Sequence, residues 1–203
     1  INEILDLSKI EAGRMDLQLS SVQVADLAEG LRASFAHMAG DKGLALEVTV
    51  APEAPAELSS DYKRIEQILR NLMSNAIKFT ESGGVTVTFG RPHSGVDLSR
   101  SALAADNSLA IGVRDTGIGI PGDKHRLIFE AFQQAEGGTS RRYGGTGLGL
   151  TISRELANLL GGEIQLASEP GKGSTFTLYL PIVGTAGSAN HAGKYPARPA
   201  TAL

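Results

Sequence analysis

Three short stretches of the chain carry residues suited to a phosphate-bearing ligand. Asn71 and Asn75 stand four apart in a segment with helical periodicity, which puts both amides on one edge about 40° apart. Lys78 falls on the same edge one turn later. An asparagine carbonyl oxygen suits one position on Mg²⁺, an ion that otherwise keeps waters and phosphate oxygens. A lysine beside it would balance phosphate charge. The plainer alternative is two amides satisfied by backbone at the rim of a core, with Lys78 in solvent. The second stretch is Asp115-Thr-Gly117-Ile-Gly119, directly after an apolar run. Glycines let backbone approach a flat ligand closely, and a carboxylate at the base of such a loop can accept the exocyclic amino group of adenine. The keto oxygen of guanine would be repelled there. The third is Gly144-Gly145-Thr146-Gly147-Leu148-Gly149, a loop feeding a helix whose free N–H groups and dipole attract anions. Arg141 and Arg142 precede it and could reach phosphate oxygens, although a pair of loop arginines is usually only solvated.

The elements that position these stretches can be read from periodicity. Ile1 to Gly13 opens without Met as an amphipathic stretch, which suggests the end of a longer helix. Val24, Leu27, Leu31 and Phe35 recur at helical spacing within a helix expected from Val22 to Met38. Leu44–Val50 alternates as a strand, closed by the Pro52–Pro55 segment. Ile65, Ile68, Leu69, Leu72, Met73, Ala76 and Ile77 form one broad stripe on a helix capped by Ser60 or Asp61. Strands are expected over 85–90 and 109–114, separated by a polar surface loop over 92–107. A short helix is expected from Asp123 to Phe132, then a polar loop to Tyr143, then the helix through Ile152, Leu156 and Leu159. Glu163–Ser168 and Ser174–Leu180 flank a turn as the final hairpin. The order implies a two-layer α/β sandwich with a mixed, largely antiparallel sheet. Gly117-x-Gly119-x-x-Gly122 also matches a dinucleotide fingerprint. That reading needs a second parallel strand close behind, where this chain has a short helix and a polar loop.

Taken together, the order of the three stretches resembles the catalytic ATP-binding domain of sensor histidine kinases, of the GHKL or Bergerat-fold superfamily. Gln67-Ile-Leu-Arg-Asn-Leu-Met-Ser-Asn-Ala-Ile-Lys-Phe-Thr80 resembles that family's asparagine box, and Arg142 to Leu150 its second glycine box. Gly171-Lys-Gly-Ser-Thr-Phe176 resembles its closing segment. The resemblance implies that Asn75 holds Mg²⁺, that Asp115 reads the adenine of ATP, and that Thr175 assists through water. It implies that Asn71, Lys78, Phe79 and Arg142 line the site, while Gly145, Thr146, Gly147, Leu148 and Gly149 meet phosphates beside the Gly117–Gly119 loop. Many relatives carry tyrosine where this chain has Phe79, so any bond from that hydroxyl is lost. Phe129 and Phe132 would anchor a lid over about 121–143, although ordinary core aromatics would look the same.

Residues 1–19 then resemble the end of a phosphotransfer-domain helix and a linker, 20–182 the ATP-binding domain, and 183–203 a linker-like tail. The implied reaction moves the γ-phosphoryl group to a histidine on a separate dimerization and phosphotransfer domain. A response regulator would act downstream of a homodimeric parent, and a monomeric fragment fits that scheme. None of His37, His93, His125 and His191 has the phosphoacceptor's sequence context. Related ATPases place a water-activating glutamate where this chain has Asn71, which disfavours fast hydrolysis. The rival readings are an ATPase of the same superfamily and a nucleotide-sensing module without transfer.

Composition bounds the remaining classes. With 19 Lys and Arg against 22 Asp and Glu among 203 residues, the chain lacks the basic footprint of a nucleic-acid binder. Without cysteine, disulfides and thiolate metal sites are excluded. No apolar run reaches the roughly 20 residues of a membrane helix. A cytoplasmic location is expected, compatible with a membrane-anchored parent.

Overall fold

A computed structural model describes residues 2–101, 103–131 and 147–183. In chain order these form α1 (Asn2–Glu11), β1 (Ser20–Gln23), α2 (Val24–Asp41), β2 (Ala45–Val50), β3 (Glu57–Ser60) and α3 (Tyr62–Phe79). There follow β4 (Gly84–Gly90), β5 (Ser108–Asp115), α4 (Gly149–Leu159), β6 (Glu163–Glu169) and β7 (Gly173–Pro181). The main sheet runs β2-β4-β5-β7-β6, with β2 and β4 parallel and every other pair antiparallel. The two-layer, mixed and largely antiparallel architecture expected from element order is the one observed. Because β5 lies antiparallel to both neighbours, the dinucleotide fold is ruled out.

Alternation along the strands makes the two layers. Val85, Val87 and Phe89 of β4, Ile111 and Val113 of β5, and Phe176, Leu178 and Leu180 of β7 share one buried cluster with the helices. The entire α3 stripe from Ile65 to Ile77 enters it, and each of its Ile, Leu and Met side chains contributes about 1.5–3 kcal/mol on burial. The opposite face carries Thr86, Thr88, Gly112, Arg114 and Thr175, which line an open groove of about 530 Å³. The surface connection between β4 and β5 is tied to β6 at two points. Gln165 Nε2 donates to the Asp97 carbonyl at 2.7 Å, and the Ser101 hydroxyl to Glu163 at 2.6 Å.

Helix α3 is held at both ends. Asp61, not Ser60, is its cap, with Oδ1 accepting from the Arg64 N–H at 3.2 Å. At the other end Lys42 Nζ donates to the carbonyls of Ile77, Lys78 and Thr80 at 2.6, 2.9 and 2.8 Å. A cation there also complements the negative end of the helix dipole.

Two expectations are corrected. Val22 does not begin α2: residues 20–23 form β1, which pairs antiparallel with β3 in a second, two-stranded sheet. Both strands are too short for alternation to announce them. The helix expected from Asp123 to Phe132 is reduced, through Phe129, to single 3₁₀ turns at Gly122–Lys124 and Leu127–Phe129. None of residues 121–131 is fully buried, so no face of a longer helix is held against the core. Helix α1 packs against the rest of the chain. Leu7 is buried, Gln67 Nε2 donates to Asp6 at 3.0 Å, and the Gln18 N–H donates to Asp61 Oδ2 at 2.9 Å.

Candidate functional site

At the C-terminal end of β5 the chain enters a loop that cannot accept larger residues. Asp115 is buried, and its Oδ1 accepts from the Gly117 N–H at 2.8 Å and the Ser174 N–H at 3.3 Å. Burial pushes its carboxyl above the usual aspartate range, and those two N–H groups partly oppose the shift. Gly119 sits at φ +68°, and a Cβ there would meet the Glu169 carbonyl oxygen at 2.0 Å. Only glycine satisfies both conditions. A Cβ on Gly117 would likewise lie 2.4 Å from the Phe79 carbonyl oxygen, so this loop is pressed against the end of α3. It is pinned on its other side to the hairpin of β6 and β7. The Gly171 N–H donates to the Ile118 carbonyl at 2.8 Å, and the Ile120 N–H to Ser168 Oγ at 2.8 Å.

The α3 edge faces the start of α4. Asn71 and Asn75 are both half-buried, as are Lys78 and Phe79. Asn71 Nδ2 donates to Ser153 Oγ at 2.9 Å, which turns its Oδ1 towards the first turn of α4. A Cβ on Gly149 would lie 2.3 Å from that oxygen, so glycine is what lets the two helices approach. Lys78 Nζ lies 5.0 Å from the centre of the Phe79 ring, and burial lowers its amine below the ordinary lysine range. Leu148 caps α4 without a side-chain hydrogen bond, and Gly147 holds φ +70° just before it. Leu148 itself therefore offers no side-chain acceptor to the first-turn N–H groups of α4. The root of the expected lid is attached to the same helix. Thr151 Oγ1 donates to the Phe129 carbonyl at 3.0 Å, and the Phe129 ring meets Phe176 edge-on at 6.2 Å.

The structure therefore brings together Asn71, Asn75, Lys78, Phe79, Asp115, Gly117, Gly119, Gly147, Leu148 and Gly149 around the ends of α3, β5 and α4. Arg142, Gly145 and Thr146 lie outside the described residues, as do Phe132, Arg141 and the remainder of the lid. Thr175 does not belong with Asp115. It pairs with Arg114 across β5 and β7 and lines the groove on the far face of the sheet, because successive strand residues point to opposite faces. Its neighbour Ser174 is on the Asp115 side. Counting back by two from Phe176, an evident core residue, would have identified it. Ser153, Thr151 and Ser168 gave no comparable signal, since what marks them is a partner distant in sequence.

The donor set suits a nucleotide with a hard divalent ion. It combines a buried carboxylate acceptor for a base, a helix start for phosphate, and amide oxygens on the edge between them.

Comparison with known proteins agrees with this geometry. The family model of the histidine kinase-, DNA gyrase B-, and HSP90-like ATPases matches residues 60–184. Over 180 residues the chain is 38% identical to the signal transduction histidine-protein kinase BarA of Escherichia coli, covering 89% of this chain and 19% of that protein. Over 183 residues it is 41% identical to the autoinducer 2 sensor kinase/phosphatase LuxQ of Vibrio parahaemolyticus, covering 90% and 20%. The chain thus spans about a fifth of the length of these relatives. Among solved structures, full-length ShkA in complex with AMPPNP superposes with a TM-score of 0.74 at 31% identity, over 91% of this chain and 35% of that one. The chain belongs to the histidine kinase-, DNA gyrase B-, and HSP90-like ATPase family, as an ATP-binding catalytic domain of the sensor histidine kinase kind.

Proposed function

We propose that this domain binds Mg-ATP and passes the γ-phosphoryl group to a histidine on a dimerization and phosphotransfer domain, which a response regulator then unloads. The observation carrying this reading is the Asp115 carboxylate. Both of its hydrogen bonds among the described residues fall on Oδ1, which leaves Oδ2 for the exocyclic amino group of adenine. Gly147, Leu148 and Gly149 present the α4 start to phosphates, joined by Gly145, Thr146 and Arg142 from outside the described residues. Asn75 offers a carbonyl oxygen to the metal, whose charge would stabilise the transferring phosphoryl group. No cluster of three His, Asp or Glu able to hold a metal occurs among the described residues, so the ion would depend on Asn75 together with phosphate oxygens. Lys78 adds charge at the same edge, and Phe79 walls it.

Transfer of this kind rests on positioning and charge neutralisation. The histidine nitrogen uses its own lone pair to form the N–P bond, the bond from γ-phosphorus to the bridging oxygen breaks, and ADP leaves with that electron pair. No strong base is required. The rival hydrolysis would need a group to take a proton from water. Asn71 cannot take one, and its Nδ2 is committed to Ser153.

Calorimetry with ATP and GTP, followed by labelling, tests the proposal. ATP should be preferred, and this chain alone should remain unlabelled. Adding the parent's separate histidine-bearing domain should give acid-labile label on that domain, abolished by Asn75→Ala. Equal affinity for GTP would remove the base-reading role of Asp115. Acid-labile label on this chain alone would place the acceptor within it.

A further inference from the structure

Beside Asp115, on the same face of the sheet, Ser168 of β6 and Ser174 of β7 stand directly opposite each other. Their hydroxyl oxygens are 2.9 Å apart. Ser168 Oγ has two further partners: the Ile120 N–H donates to it at 2.8 Å, and the Gly173 carbonyl lies 3.0 Å away. A serine hydroxyl has one proton and two lone pairs, and a carbonyl oxygen can only accept. The arrangement in which all these contacts are hydrogen bonds sends the Ser168 proton to Gly173. Ser174 must then donate its own proton to Ser168. Ser168 is thereby saturated, with one bond donated and two accepted. Ser174, buried and bonded to Asp115 through its backbone N–H, is left with lone pairs and no free proton.

We infer that Ser168 is a specificity-determining positioning residue, which by holding the Ser174 proton keeps the base subsite beside Asp115 free of hydroxyl donors and so selects 6-amino over 6-keto purine nucleotides. The inference rests on the proposed reading of adenine by Asp115. Oδ2 of Asp115 and the lone pairs of Ser174 present only acceptors, which a 6-amino group can satisfy directly or through water. The keto oxygen of hypoxanthine or guanine would instead meet these two acceptors. Without the Ser168 hydroxyl, Ser174 can rotate and offer its proton to that oxygen. Ser168 also pins the Asp115–Ile120 loop to the hairpin, so loss of stability alone would not identify its role. The discrimination ratio does, because a purely mechanical clamp would weaken both nucleotides alike.

The test measures the affinities of ATP and inosine triphosphate, which differ at the 6-position and its N1 proton, for the unaltered chain, Ser168→Ala, Ser168→Thr and Ser174→Ala. The unaltered chain should favour ATP. Ser168→Ala should narrow the ratio by about tenfold, the scale of one hydrogen bond regained by the keto nucleotide, and Ser168→Thr should restore it. Should Ser168→Ala fail to fold, Ser174→Ala reports on the same subsite, since losing the acceptor lone pairs should also narrow the ratio. Equal affinities in the unaltered chain would overturn the adenine reading and this inference with it. A clear preference for ATP that persists undiminished in the alanine variants would leave the adenine reading intact and overturn the role of Ser168.

Discussion

Asp115 carries an electrostatic cost at neutral pH, and that cost can be separated from its role in binding. Its folded-state pKa is raised by burial. A raised carboxyl contributes its stability below the unfolded pKa and loses it as pH rises through the folded value. At neutral pH the buried carboxylate therefore weighs against folding. Asp115→Asn keeps an oxygen for the N–H groups of Gly117 and Ser174 but removes the charge, and it aims an amide N–H where an acceptor is needed. Its melting temperature at neutral pH should equal or exceed that of the unaltered chain, with the advantage fading as pH falls through the folded pKa. ATP affinity should fall by about tenfold or more, the scale of a buried donor left without its acceptor. Thermal melts from pH 4 to 8 with parallel calorimetry would show both. A variant that melts several degrees lower at pH 7 would contradict this account of the carboxylate.

Among the elements, α3 joins core to site, and its C-terminal end depends on a residue outside it. Lys42 follows α2 directly and closes three carbonyls around the last turn of α3, next to Lys78 and Phe79. Bonds to a charged donor contribute roughly 1.5–3 kcal/mol. Lys42→Met should therefore lower the melting temperature by about 3–12 °C, and it should also weaken ATP binding by loosening the turn that carries Phe79. Lys63→Met, on an exposed position of the same helix, should do neither. If ATP affinity survives Lys42→Met while stability falls, the end of α3 is less coupled to the nucleotide than its contacts imply.

At the scale of the whole molecule, Asp61 ties the linker after α1 to the start of α3. Asp61 uses Oδ1 to cap α3 and Oδ2 to hold the Gln18 N–H. Asp61→Ser can keep the cap but has no second oxygen for the linker, whereas Asp61→Ala loses both. The serine variant should stay within about 1 kcal/mol of the unaltered chain and the alanine variant fall further, since a lost cap costs about 0.5–2 kcal/mol. In both, limited proteolysis should cut between residues 12 and 19 faster than before. Unchanged cleavage in Asp61→Ser would mean that Leu7, Met15 and the bond from Gln67 to Asp6 hold this segment without Asp61. Among the described residues no helix is long and apolar enough to cross a membrane.

Local rules suffice for much of this protein. The stripe on α3, the glycines around Asp115 and before α4, and the order of helices and strands follow from period, backbone allowance and connection length. Those are properties of neighbouring residues, and they mark the two-layer fold and most of the candidate site. What the sequence leaves open depends on partners far along the chain. The pairing of β1 with β3, the closure of α3 by Lys42, the docking of α1 and the bond between Asn71 and Ser153 each join residues at least 34 positions apart. No window of sequence contains both ends of such a contact. Thr175 is the instructive case: its residue type suits a polar role beside adenine, but strand parity turns it to the far face and gives that place to Ser174. Residue types and spacing determined which chemistry this chain could perform. Which side chains share a cavity was decided when the sheet and helices packed, because side-chain direction depends on register and burial as much as on order in the chain.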